Sequence, residues 1–175
     1  MVRRGAALML AAALTLSACA RPDARPEATA LPPASVGMER ITYETGPCFG
    51  ACPVYRISVS SDGTGVFTGI RHTEVIGERK FTITPAQFLA FREQLTPYLP
   101  AEGERLYQHG TPLCAQVATD LPSVDILWSR DERRRKSSRL YFYYGCDMEK
   151  NAPLGEALGN AVDALPVGEL IGGQP

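Results

Sequence analysis

The groups with the most potential for chemistry in this 175-residue chain are four cysteines and two histidines: Cys48, Cys52, Cys114 and Cys146, with His72 and His109. Two soft thiolates four residues apart, joined by a distant imidazole, suit copper. Cys48, Cys52, His72 and His109 are therefore one candidate ligand set. The competing reading is covalent. An even number of cysteines in an oxidising compartment pairs into disulfides, and four cysteines admit three pairings. Cys48–Cys52 with Cys114–Cys146 is the pairing expected, because Cys146 closes the last strand of a hairpin and Cys114 precedes its first arm at the same end. On the chain-entropy model a bridge closing about 33 residues contributes roughly 3–4 kcal/mol, and the small 48–52 ring about 2 kcal/mol. A bond that adds little stability shapes a loop or is labile, so 48–52 is also where a thiol-redox site would sit.

A fifth cysteine carries different chemistry. Arg3 and Arg4 precede an apolar run from Ala6 to Leu16, too short to span a bilayer, and Leu16-Ser17-Ala18-Cys19 follows. An aliphatic residue, two small residues and then cysteine form a lipobox, so residues 1–18 read as a lipoprotein signal peptide and Cys19 as the lipidated residue. At least two acyl chains there give a durable anchor. Cleavage would remove two arginines and no acids, moving the net charge from −1 to −3. A mildly acidic protein is a poor candidate for binding nucleic acid. Ala20 after the cysteine, rather than aspartate, favours the outer membrane by similarity to enteric sorting rules.

Three further groups carry potential for chemistry. Arg130, Arg133, Arg134, Arg135 and Lys136, with Asp131 and Glu132, form a basic run at a hairpin tip. It could contact an anionic surface such as lipid phosphates, although such runs are more often solvated turns. Tyr141-Phe142-Tyr143-Tyr144 with Trp128 could stack on a sugar, but reads more simply as a strand with one face in the core. Asp120, His72 and His109 have no spacing that points to catalysis, and no H-E-x-x-H, G-x-S-x-G or phosphate-loop pattern occurs.

The elements that must position these groups begin after a tether. Residues 19–37 hold prolines at 22, 26, 32 and 33 and no apolar periodicity, as a semi-extended linker does. One domain then spans 38–171, with a tail at 172–175. Alternation predicts strands over Glu39–Thr45, Val54–Ser60, Gly65–Ile70 and part of Thr73–Ile83, the second and third joined at Ser61-Asp62-Gly63. Thr84-Pro85-Ala86-Gln87 is a capping box with proline at the first helical position, and Phe88, Phe91 and Leu95 follow on one face. Leu121–Ser129 and Arg139–Tyr144 predict a second hairpin. A second helix is expected from about Ala152, capped by Asn151 and ended by Pro166. The fold class expected is α+β: an antiparallel sheet of two hairpins plus additional strands, with two helices packed on one face.

Gly46-Pro47-Cys48-Phe49-Gly50-Ala51-Cys52-Pro53-Val54-Tyr55 resembles the G-P-C-x-G-x-C-P-x-Y signature of a family of bacterial envelope proteins classed as a domain of unknown function. The likeness extends through Asp62-Gly63, Phe67 and Gly69, Thr119 to Pro122 and the Pro153–Leu165 segment, covering about residues 40–166. The family brings no established activity. Cys114 and Cys146 look like additions to its signature, which supports pairing them with each other. Cys-x-x-x-Cys-Pro is also similar to the copper-binding motif of delivery proteins with a thioredoxin fold. Here, however, a strand rather than a helix follows the cysteines.

The function expected is that of a lipid-anchored envelope protein whose domain is non-enzymatic and binds an envelope-protein or cell-wall partner, without a cofactor. The alternative is a thiol-redox or copper-handling protein using Cys48 and Cys52.

Overall fold

The computed structural model describes residues 38–130 and 136–172. Residues 1–37, on which the expected signal peptide, Cys19 and the expected tether fall, Asp131 to Arg135 of the basic run, and the last three residues lie outside the described part.

Seven strands form one mixed sheet: β1 (Glu39–Thr45), β2 (Val54–Ser60), β3 (Thr64–Arg71), β4 (Gly77–Thr82), β5 (Gly103–Tyr107), β6 (Ser123–Arg130) and β7 (Lys136–Tyr143). Their order across the sheet is β4-β3-β2-β1-β6-β7-β5. Period-two patterning accounts for the strands. In β1, Ile41 and Tyr43 are buried while their neighbours are not, and in β2 Tyr55, Ile57 and Val59 are buried with the less buried Arg56 and Ser58 between them. Register keeps those residues together: Tyr43 lies opposite Ile57 on one side and Ile126 on the other. Between β2 and β3, Gly63 takes the positive φ of +90° that the turn requires. Beside it the Asp62 carboxylate accepts from the Thr64 amide (2.9 Å) and hydroxyl (2.7 Å).

The arrangement differs from two hairpins with extra strands. The β2–β3 and β6–β7 pairs are segments of one continuous sheet, with β1 between them as the central strand. The sheet is also not wholly antiparallel, since β5 pairs parallel with β7 at the far edge. The chain leaves the β4 edge, crosses by α1 (Pro85–Leu95) and enters β5 at the opposite edge. The loop 108–122 then carries it past β7 to β6, so β5 cannot pair with its successor. This strand, Gly-Glu-Arg-Leu-Tyr, is short and polar and gave no alternation to read.

The described residues hold three helices, not two. α1 begins as its capping box requires: Thr84 Oγ1 accepts from the Gln87 amide, and Gln87 Oε1 accepts from the Thr84 amide. α2 (Met148–Asn160) starts before Asn151, which is a buried member of the helix and not its cap. The Asn151 amide instead donates to the Cys146 carbonyl at 2.8 Å. α2 does not run to Pro166. It gives way to a 3₁₀ turn (Ala161–Ala164), after which the short α3 (Gly168–Ile171) follows.

One core lies between a single sheet face and the helices, joining Ile41, Tyr43, Ile57, Phe67, Ile126 and Leu140 to Phe88, Phe91 and Leu95 of α1 and Leu154 and Leu158 of α2. Mostly sheet with helices, the domain is of the α+β class. The opposite sheet face is charged. Arg56 pairs with Glu44 at 2.7 Å, and Arg139 grips both Asp125 oxygens at 2.9 and 2.6 Å while reaching Glu104 at 3.4 Å. Such exposed pairs add little stability and keep that face in water.

Candidate functional site

β1, β3, β5 and β7 end where β2, β4 and β6 begin. The loops 46–53, 72–76, 108–122 and 144–147 therefore meet at one end of the sheet. Every cysteine of the domain, both histidines and Asp120 lie in those loops. The structure places Cys48 with Cys52 and Cys114 with Cys146 at disulfide distance, their Cα atoms 5.7 and 5.3 Å apart. It does not gather the copper set: among the described residues no three His, Cys, Asp or Glu side chains stand close enough to hold a metal. His72 and His109 are both exposed.

The loop 46–53 is held by backbone at two points. The Gly46 amide donates to the Ser123 carbonyl (2.8 Å) and the Phe49 amide to the Asp120 carbonyl (3.0 Å). A Cβ at position 46 would meet the Ser123 hydroxyl, which would have to rotate away to admit any other residue. Asp120 itself adopts a φ of +71°, a conformation that short polar side chains tolerate best. At the loop's exit Thr45 Oγ1 donates to the Pro53 carbonyl (2.8 Å) and accepts from the Tyr55 amide (3.0 Å), fixing the direction in which Tyr55 enters β2.

That entry puts Tyr55 on the wall of a cleft of about 510 Å³. Cys52 and Tyr55 come from the loop and β2, and Ser123 from β6. Tyr144 follows β7, Glu156 lies on α2 and Asp163 on the 3₁₀ turn. Gly155 of α2 packs closely here: a Cβ would stand 3.3–3.4 Å from the Tyr144 and Phe142 rings, which would have to give slightly. Tyr55 is only 6% exposed, stacked between Tyr43 and Phe67 at centroid distances of 6.3 and 5.7 Å. Its hydroxyl has no hydrogen-bond partner among the described residues, whereas Tyr43 donates to the Leu158 carbonyl (3.1 Å) and Tyr144 to the Gly155 carbonyl (3.3 Å).

Burial pushes the Tyr55 phenol far above its ordinary pKa, with Tyr144 and Asp163 nearby adding to the shift. Burial also raises Tyr144 to about 12. Both hydroxyls are therefore protonated and neutral at physiological pH, able to donate and to accept.

A second concavity, of about 540 Å³, lies over the Cys114–Cys146 segment. Several of its polar groups already bond to one another. The Asp147 carboxylate accepts from the Ala115 (3.0 Å) and Gln116 (2.7 Å) amides, which hold it below the usual carboxylate range. The Ala118 amide donates to the Gly145 carbonyl at 2.8 Å. This is a fastening between a loop and the start of α2.

The other groups singled out in the sequence stand elsewhere. Arg130 and Lys136, at the opposite end of the sheet, are engaged within the domain. Arg130 donates to the Ala101 carbonyl (2.8 Å) and lies 4.7 Å from the Trp128 ring centroid, and Lys136 pairs with Glu102 (2.8 Å). Arg133, Arg134 and Arg135 lie outside the described residues. The aromatic run divides by strand period: Phe142 is buried in the core, while Tyr141 and Tyr143 are half-buried on the other face. No open stacking platform results.

Glu156 and Asp163 were missed in the sequence. They are seven residues apart, two helical turns, on the face that Leu154, Leu158 and Ala161 leave free. Gly155 and Gly159, unusual within a helix, were the available signal that something packs close there.

No curated protein and no solved structure matches the chain. The profile of one family does, over residues 39–162, from the first residue of β1 into the 3₁₀ turn, which takes in the loop 46–53 and most of the cleft. On that match, the chain belongs to the family described as domain of unknown function DUF6438.

Proposed function

We propose that this is a lipid-anchored protein of the bacterial envelope, held by Cys19 at the outer membrane, whose domain binds a ligand or partner in the cleft beside the Cys48–Cys52 loop. The lipobox and the proline-rich tether support the anchoring, and no enzymatic step is assigned. One observation carries the binding role. Tyr55, more than nine-tenths buried, lines the cleft, and its hydroxyl has no hydrogen-bond partner among the described residues. A hydroxyl held on a buried ring at the wall of a cleft, with no partner among the described residues, fits a group that a ligand completes.

Anchoring is tested by metabolic labelling with an alkyne fatty acid followed by membrane fractionation. Label should appear on the full chain in the outer-membrane fraction and vanish in Cys19→Ala. Label that persists in the variant would overturn it. Binding is tested in cells with a photo-crosslinking amino acid at Asn160, on the cleft rim, against one at Leu127, on the charged sheet face. Discrete adducts from position 160 alone are the expected result, and none from 160 would sink the cleft reading. Cys52 also lines the cleft, which favours thiol-redox chemistry of the 48–52 pair as the second reading.

A further inference from the structure

We infer that the cleft receives a primary ammonium group carried on a short alkyl chain. This rests on the binding role proposed for the cleft and names what it takes.

The lining residues hold two carboxylates, Glu156 and Asp163, and no lysine, arginine or histidine. To these they add the hydroxyls of Tyr55, Tyr144, Ser123 and Thr45, so the cleft is rich in acceptors and its field is negative. An anionic ligand is disfavoured there by charge. A sugar would need a ring face to stack on, and the ring faces are taken: Tyr55 lies between Tyr43 and Phe67, and Tyr144 meets Phe142 edge-on at 5.0 Å. A metal ion would need more ligands than the two carboxylates supply, and no metal-holding group is found among the described residues.

An ammonium group fits what remains. It brings three N–H donors and no acceptor, and charge-assisted hydrogen bonds to carboxylates are the strong kind. The unpartnered Tyr55 hydroxyl, on a ring held between Tyr43 and Phe67, gives the site a fixed point. Glu156 and Asp163 stand at the exposed rim, one on α2 and one on the 3₁₀ turn, so they attract the charge while the phenol orients it. Val162 and Ile171 provide apolar wall for the methylenes.

The test is NMR of the full chain in detergent micelles with ¹³C-labelled tyrosine rings, the seven tyrosines being assigned by single Tyr→Phe variants. The probe is 1,4-diaminobutane, compared with 1,4-butanediol of the same length and with N-acetylglucosamine. The diamine should shift the Tyr55 and Tyr144 signals saturably, with affinity falling as salt is raised. The diol should bind about tenfold more weakly or worse, and Glu156→Gln with Asp163→Asn should cost the diamine about tenfold. Both replacements are isosteric and exposed, and the remaining tyrosine signals report that the variant is folded. If the diol or the sugar moves the same two signals as strongly as the diamine, ammonium recognition is overturned while the cleft remains a binding site. If the diamine moves neither signal, the inference also fails, and crosslinking from position 160 then decides separately whether the cleft binds anything.

Discussion

The Cys114–Cys146 segment and the Cys48–Cys52 ring stand at the same end of the sheet, but the chain around them is built differently. Cys114 and Cys146 are 5% and 0% exposed, and the strands of backbone they join exchange hydrogen bonds on both sides of the bridge. The 48–52 ring is half in solvent and presents Phe49 at 87% exposure. Gly50 within it sits at a φ of +137°, and a single amide, that of Phe49, ties its interior to the rest of the domain. The first bridge reinforces a contact the backbone already makes. The second holds a loop in a shape that nothing else imposes, along the wall of the cleft. The contrast separates stabilising chemistry from site-shaping chemistry within one cluster of loops.

The largest effect should come from Cys114→Ser with Cys146→Ser. The bridge closes a span with a sequence separation of 32, worth about 4 kcal/mol on the chain-entropy model. Urea unfolding should show that loss as a lowered midpoint with a steeper slope, because the unlinked unfolded chain exposes more surface. Cys48→Ser with Cys52→Ser removes a separation of only 4, worth about 2 kcal/mol on the same model. If the two variants lose equal stability, or in the reverse order, the distinction collapses.

Redox titration sharpens it. Alkylation and mass analysis in graded glutathione buffers should find Cys114 and Cys146 protected until poise falls below about −300 mV, as structural bridges are. The 48–52 pair, being more exposed, should open first. Opening near periplasmic poise would favour the thiol-redox reading over a purely structural one.

The same contrast governs what was legible in the sequence. β1, β2 and α1 follow from local rules, because Ile41, Tyr43, Ile57 and the Thr84–Gln87 capping box carry their information within a few residues. The two cysteine pairings were also anticipated. The place of β5 was not, since its neighbour in the sheet is set by a crossover and not by its own polar sequence. α2 was started too late because Asn151 has the chemistry of a cap. Its amide turns to Cys146, while Asp147, in the left-handed region at φ +41°, directs its carboxylate across to the loop 108–122. The cleft was the least legible feature. Tyr55, Tyr144 and Asp163 are separated by most of the domain's length, and only the packing of α2 against the sheet end brings them to one wall.

The smallest stability effects should come from single hydroxyls, and they test whether that wall is a site. Tyr43→Phe removes a buried hydrogen bond to the Leu158 carbonyl and should cost about 1 kcal/mol. Tyr55→Phe removes a hydroxyl that bonds to nothing among the described residues, so at neutral pH its cost should be about zero, while diamine binding is lost. The alkaline limb checks the same hydroxyl independently. An unfolded phenol titrates near pH 10, whereas Tyr43, Tyr55 and Tyr144 are raised in the folded state. Their contribution is intact below pH 10 and is lost as pH climbs through about 12 and beyond, because there the unfolded chain releases protons that the folded one still holds. Tyr55→Phe should flatten that loss without changing stability at pH 7. A variant that is already destabilised at pH 7 would mean that the Tyr55 hydroxyl has a partner inside the fold, and the case for a ligand completing it would go with it.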